Sequence, residues 1–103
     1  MTFDRLLLDL LVETALAAGR VVMDVYAGDF AVATKGDASP VTAADERAET
    51  VILADLARLL PGVAVVAEEE AAAGRLPANL GERFVLVDPL DGTKEFISRN
   101  GEF

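Results

Sequence analysis

The sequence predicts an α+β domain in which helices are layered on a short sheet, and three observations carry that expectation. Two long segments repeat their apolar residues at helical spacing. Three short apolar runs, Phe30–Thr34, Val63–Ala67 and Phe84–Val87, have the length and flanking turn residues of strands. The apolar fraction is 52%, enough to pack one core in 103 residues and too little chain for two domains.

The first helix runs from about Phe3 to Tyr26. Leu8, Leu11, Val12, Ala15, Ala18, Val22, Val25 and Tyr26 fall on one face, the acids fall mostly elsewhere, and Gly28 marks the stop. Phe30–Thr34 reads as a strand, and Gly36, Asp37, Ser39 and Pro40 as a loop. Thr42, with Asp45 three residues on, is an N-cap followed by an acid in the first turn. That helix continues to about Leu60 with Ala48, Val51, Ile52, Leu56 and Leu59 inward, and Pro61-Gly62 ends it. Val63–Ala67 runs into Glu68, Glu69 and Glu70; residues 71–82 contain Gly, Pro and Asn and read as a surface loop with room for one helical turn. Phe84–Val87 is the last strand, and Thr93 caps a short helix from Lys94 to about Ser98. The order α, β, α, β, β, α is that of helices covering a sheet. No internal repeat or low-complexity tract is present.

Composition narrows the chemistry. The net charge is −9, from 18 acids against 9 bases, which argues against a nucleic-acid backbone or an anionic membrane as the main partner and suits a site for cations. With no Cys there is neither a disulfide framework nor a thiolate zinc site. With no His, the commonest general base and transition-metal ligand is missing. Catalysis must use carboxylates, hydroxyls, Lys or a hard metal. The apolar N-terminal stretch is interrupted by Asp9 and Glu13 and preceded by a single Arg5, unlike a signal peptide, and no run is long enough to span a bilayer. A cytoplasmic chain with no transmembrane segment is expected, with peripheral attachment at the inner membrane face as the alternative.

Two strand candidates end in carboxylates: Glu68 follows one and Asp88 the other. In open α/β sheets ligands bind beyond the carboxyl ends of strands. If the two strands point the same way, Glu68, Asp88 and Asp91 converge, and such a cluster is tolerable only around something positive. All-oxygen ligation points to Mg²⁺, with Mn²⁺ second. Pro89 fixes the turn, Gly92 lets backbone approach a ligand, and free N–H groups near Gly92 and Thr93 suit a phosphate. A metal facing a helix N-terminus describes phosphoryl transfer with water as nucleophile. Taken alone, each feature has a plainer reading: a solvated acidic turn at 68–70, a β-turn at "DPLDG", a helix-cap acid at Asp45, a surface lysine at Lys35. Their joint occurrence at two strand ends and one helix start favours the functional reading.

"DPLDGTKEF", with an upstream "EE" after a strand and "SPVTAAD" before that, resembles the inositol-monophosphatase superfamily of Mg²⁺-dependent, lithium-sensitive phosphatases. "VDPLDGTKEFISRNGEF" is similar to its CysQ-type 3′(2′),5′-bisphosphate nucleotidase branch, since inositol-type members more often follow DGT with Asn-Phe. The resemblance implies the N-terminal lobe of an αβαβα layered fold. It implies that residues 1–103 are an N-terminal part of such a phosphatase domain, the C-terminal lobe, a later Trp-Asp metal ligand and most of the substrate pocket being absent. By position, Glu68, Asp88 and the Leu90 carbonyl would hold one Mg²⁺, and Asp88 and Asp91 would share a second. Thr93 and Asp45 would activate the attacking water. Glu68, Leu90, Asp91, Gly92 and Thr93 would line the substrate phosphate. Glu69 would be a minor or indirect ligand, and Lys35 would lie in a mobile loop over the site. The implied reaction is removal of the 3′-phosphate of adenosine 3′,5′-bisphosphate, giving AMP and phosphate. The alternatives are an inositol-monophosphate or sugar-phosphate phosphatase, or an inactive acidic binding module that self-associates as a homo-oligomer.

Overall fold

The structure is a computed structural model that describes residues 4–34 and 40–103. Its elements are α1 (Arg5–Ala27), β1 (Val32–Thr34), β2 (Pro40–Thr42), α2 (Ala43–Leu59), β3 (Ala64–Ala67), α3 (Glu68–Ala72), β4 (Phe84–Val87) and α4 (Thr93–Ser98). The mixed helix-and-sheet class expected from periodicity is present. β1 and β2 pair antiparallel, β3 and β4 pair parallel, and the two pairs form separate two-stranded sheets.

α1 begins where the Asp4 carboxylate accepts from Leu7 N at 2.8 Å, an N-cap that satisfies one orphan donor of the first turn. It packs against α2, and the core cluster takes Ala18, Val22 and Val25 from α1 and Ala44 and Ala48 from α2. Leu90 and Phe96 complete that cluster from the chain after β4. Phe96 is 0% exposed and is ringed by Tyr26, Phe30 and Phe103, with centroids 5.1, 4.8 and 5.1 Å away. Arg99 locks the same corner. Its guanidinium donates to the carbonyls of Tyr26 and Gly28 at 2.8 and 2.6 Å and lies over the Phe30 ring. α4 is thereby fastened to the end of α1, which places the turn before α4 against α2.

Four expectations need correction. The buried stripe of α1 is Thr14, Ala18, Val22 and Val25. Leu8 and Val12 are 41% and 50% exposed, and Ala15 is exposed too. The stripe is offset because Thr14 occupies a core position: its hydroxyl bonds both the Leu10 carbonyl and Asp55 of α2, at 3.1 and 2.7 Å, so a polar side chain is satisfied there. Second, β2 was expected to be loop. Its residues pair with β1 in the register Val32↔Thr42, Ala33↔Val41, Thr34↔Pro40, and Pro40 is tolerated as the first residue of an edge strand. Third, the helical turn for which residues 71–82 left room starts earlier, at Glu68: the three acids after β3 form the first turn of α3, followed by Ala71 and Ala72. Fourth, Thr93 does not cap α4. Gly92 is the N-cap, no side chain caps that turn, and the Thr93 hydroxyl points to α2 instead. Lys35, Gly36, Asp37 and Ser39 lie outside the described residues.

Candidate active site

The parallel pairing of β3 and β4 determines the first half of the site. The register runs Ala64↔Phe84 to Ala67↔Val87, so both strands end at the same level. Glu68 and Asp88 are the next residues, and they leave neighbouring strands, which lie about 5 Å apart, side by side. The two carboxyl groups lie close enough for a protonated Asp88 to donate to Glu68, and the Asp88 carboxyl is held above its ordinary range. Partial desolvation is the leading cause, followed by the bond to Glu68 and by the negative charge of Glu68; the charge of Asp91 adds a smaller push in the same direction. The Leu90 N–H opposes this by donating to Asp88 Oδ1 at 3.3 Å, an Asx turn across Pro89.

Leu90 fixes that turn from below, because its side chain is buried in the core cluster. Gly92 then turns the chain into α4 at φ +83°, a left-handed conformation that favours glycine. A Cβ there would also stand 3.3 Å from Phe103 Cα, a tight approach that a larger residue could meet only if the neighbour shifted. Thr93 is thus presented from the first position of α4.

The second half of the site comes from α2. Asp45 is 1% exposed, and both its oxygens are engaged. Oδ2 accepts from the N–H and the hydroxyl of Thr42, each at 2.8 Å. Oδ1 accepts from Thr93 Oγ1 at 2.9 Å. Asp45 therefore caps its own helix and holds α4 with the same carboxylate. Because the single hydroxyl proton of Thr93 is given to Asp45, the remaining valence of Oγ1 is lone pairs, which accept from whatever sits in front of it.

The structure brings together Glu68 with Asp88 and Asp45 with Thr93, and places Leu90, Asp91 and Gly92 on the turn between them. Glu69 is in the first turn of α3 with its backbone held by α2. The donor chemistry of Glu68 and Asp88 fits a hard dication, since their mutual repulsion is what a positive ion relieves. Among the described residues no three carboxylates are gathered closely enough to enclose an ion by themselves. Sequence reasoning missed Glu49. It is 3% exposed, and its two oxygens accept from Glu69 N and Glu70 N at 2.8 Å each. Its place four residues after Asp45, on the inward face beside Ala48, was the available signal.

This arrangement belongs to a recognised class. The inositol monophosphatase family model matches residues 5–103, and the chain belongs to that family. A 3′(2′),5′-bisphosphate nucleotidase CysQ of Escherichia coli (strain K12) is 48% identical over 99 residues, covering 94% of this chain and 40% of that protein. The CysQ of Buchnera aphidicola is 37% identical over 101 residues, covering 96% of this chain and 38% of its own. In three dimensions the chain resembles the extragenic suppressor protein suhB from Bartonella henselae, with a TM-score of 0.71 and 31% identity over 88% of this chain and 35% of that one. The chain thus spans 40% or less of the length of these relatives.

Proposed function

We propose that this chain is the N-terminal part of a Mg²⁺-dependent phosphatase that removes the 3′-phosphate of adenosine 3′,5′-bisphosphate in the cytoplasm. The observation that carries the reading is the part-buried Asp45–Thr93 hydrogen bond at 2.9 Å, taken together with the Glu68–Asp88 carboxyl pair. The choice of a nucleotide over an inositol phosphate rests on Lys94-Glu95-Phe96 and on the 48% identity to a bisphosphate nucleotidase.

In this reading Glu68, Asp88 and the Leu90 carbonyl would hold one divalent ion, and Asp88 and Asp91 would share a second. A divalent ion there supplies positive charge to the phosphoryl oxygens. Thr93 Oγ1, with its proton committed to Asp45, accepts a hydrogen bond from the attacking water and leaves a water lone pair free for phosphorus. The water–phosphorus bond forms as the ester bond to the 3′ oxygen breaks. The water proton passes toward Oγ1 and the Asp45 carboxylate, and the leaving oxygen takes a proton from solvent. Asp45 is kept in place for this by Thr42, whose two donors balance its buried charge. The N–H groups of Gly92 and Thr93 receive phosphate oxygens at the uncapped start of α4.

Phosphate release by the complete protein from adenosine 3′,5′-bisphosphate, inositol 1-phosphate and sugar phosphates tests the reading. Preference for the nucleotide, dependent on Mg²⁺ and abolished by Asp88→Asn, is the expected result. Faster turnover of inositol 1-phosphate would transfer the protein to the inositol branch.

A further inference from the structure

Asp45 and Glu49 lie four residues apart on the buried face of α2, and each carboxylate grips the start of a different short helix. Asp45 takes the hydroxyl of Thr93, the first residue of α4. Glu49 takes the backbone N–H groups of Glu69 and Glu70, the second and third residues of α3. α3 has five residues, and its N-cap is Ala67, whose side chain makes no cap hydrogen bond. A helix that short is not stable by itself, and its first turn leaves orphan donors. Three consecutive glutamates there repel one another. The bidentate grip of Glu49 supplies from 20 and 21 residues away what Ala67 cannot.

We propose that Glu49 is a positioning residue for the metal site: its carboxylate clamps the first turn of α3 and so aims Glu68 at Asp88. The inference rests on the functional reading above, in which Glu68 is a metal ligand. It makes α2 the common support of both halves of the site, with Asp45 setting Thr93 and Glu49 setting Glu68. A buried charge on a helix face shared with Ala44, Ala48 and Leu56 is costly unless paired, and both partners here are backbone donors that the site requires to stay in register.

The test uses the complete protein with Glu49→Gln, an isosteric change that keeps one acceptor and sets an amide NH₂ against the second N–H. Glu49→Ala, Glu68→Gln and the exposed Glu46→Gln are made in parallel. Mn²⁺ affinity is measured by electron paramagnetic resonance and amide hydrogen exchange by mass spectrometry or NMR. Loss of such supporting contacts typically weakens metal binding about 10–100-fold. That loss is expected for Glu49→Gln, with faster exchange confined to Glu69, Glu70 and their neighbours in α3, unchanged exchange in α2, and wild-type behaviour for Glu46→Gln. Unchanged Mn²⁺ affinity in Glu49→Gln and Glu49→Ala, while Glu68→Gln abolishes binding, overturns the positioning role and leaves the site reading standing. Exchange rising equally through α2 also overturns it, because Glu49 would then serve the fold at large. If Glu68→Gln binds Mn²⁺ normally, the functional reading itself fails.

Discussion

Thr93 donates its hydroxyl proton to Asp45 across 48 positions of the chain, and the acceptor is 1% exposed. The bond can be cut from either side with different results. Thr93→Ala removes the hydroxyl proposed to face the water and leaves every proposed metal ligand in place. Turnover is expected to fall about 10²–10⁴-fold, with Mg²⁺ affinity little changed and partial rescue by Thr93→Ser. Steady-state kinetics at saturating Mg²⁺ decides this; an unchanged rate would remove Thr93 from the reaction.

Asp45→Asn acts on the fold as well. One of the three donors that now meet a carboxylate oxygen would face an NH₂ group inside the core. A destabilisation of about 1–3 kcal/mol is expected from that mismatch, together with loss of activity. Denaturant unfolding separates the two effects, since Thr93→Ala should reproduce the activity loss with a smaller stability change.

The Glu68–Asp88 pair gives a pH signature. The folded-state Asp88 carboxyl is held above its ordinary range, so ionising it costs folding free energy at neutral pH. That cost is present above the raised value and is relieved as pH falls through it. Without metal, Glu68→Gln removes the neighbouring charge and offers Asp88 a donor, so the mutant should melt at or above the wild-type temperature at pH 7. With Mg²⁺ the order reverses, because wild type alone gains stability from binding. Thermal melts from pH 4 to 8, with and without Mg²⁺, check both signs; a metal-free melting temperature lowered by Glu68→Gln would contradict the repulsion.

Much of this site was legible because strand ends carry sequence marks. A short apolar run that stops at a carboxylate is visible in "VAVVAEEE" and in "FVLVDPLDG", and parallel pairing then puts Glu68 and Asp88 together. The Thr42–Asp45 cap was equally visible, since a capping box has a fixed spacing. Glu49 was missed although its spacing from Asp45 put it on the inward face, because an acid in a helix reads as solvent-facing until the helix that it caps is known to lie opposite. β2 was hidden for a related reason: Ser-Pro is a turn signal, and only pairing with β1 makes residues 40–42 a strand. The face of α1 was misjudged because periodicity locates an apolar stripe within one residue step. Thr14 then displaced that stripe by finding partners for its hydroxyl.

Gly92→Ala should disable the site without touching a functional group. The left-handed conformation at φ +83° costs a residue with a Cβ about 1–2 kcal/mol. The added methyl would meet the Phe103 backbone at 3.3 Å, which cannot rotate away as a side chain can. The turn is expected to shift, carrying Thr93 away from Asp45. Activity should fall more than stability alone predicts, measured as kcat at a temperature where the mutant remains folded.

Residues 1–103 expressed alone should not turn over substrate. β3 and β4 make a sheet of two strands, and among the described residues neither outer edge is paired. Isolated two-stranded sheets are marginal in water, and bare edges invite pairing with another chain. β4 also turns an apolar face outward: Leu86 is 71% exposed and Phe84 is exposed beside it. Leu6, Leu8, Val12 and Leu16 add apolar surface along α1. The proposed metal donors Glu68 and Asp88 hang from the ends of that same sheet, so loosening it would weaken ion binding, which needs a preformed site. Two-metal phosphoryl transfer further requires both ions to be held, and the described residues gather no group of three carboxylates to do so. The expected outcome is self-association in sedimentation velocity, weak Mg²⁺ binding by calorimetry, and no phosphate release above background. Mg²⁺-dependent turnover by a purified monomer of these residues, lost on Asp91→Asn, would show instead that this part of the family's fold holds a complete site.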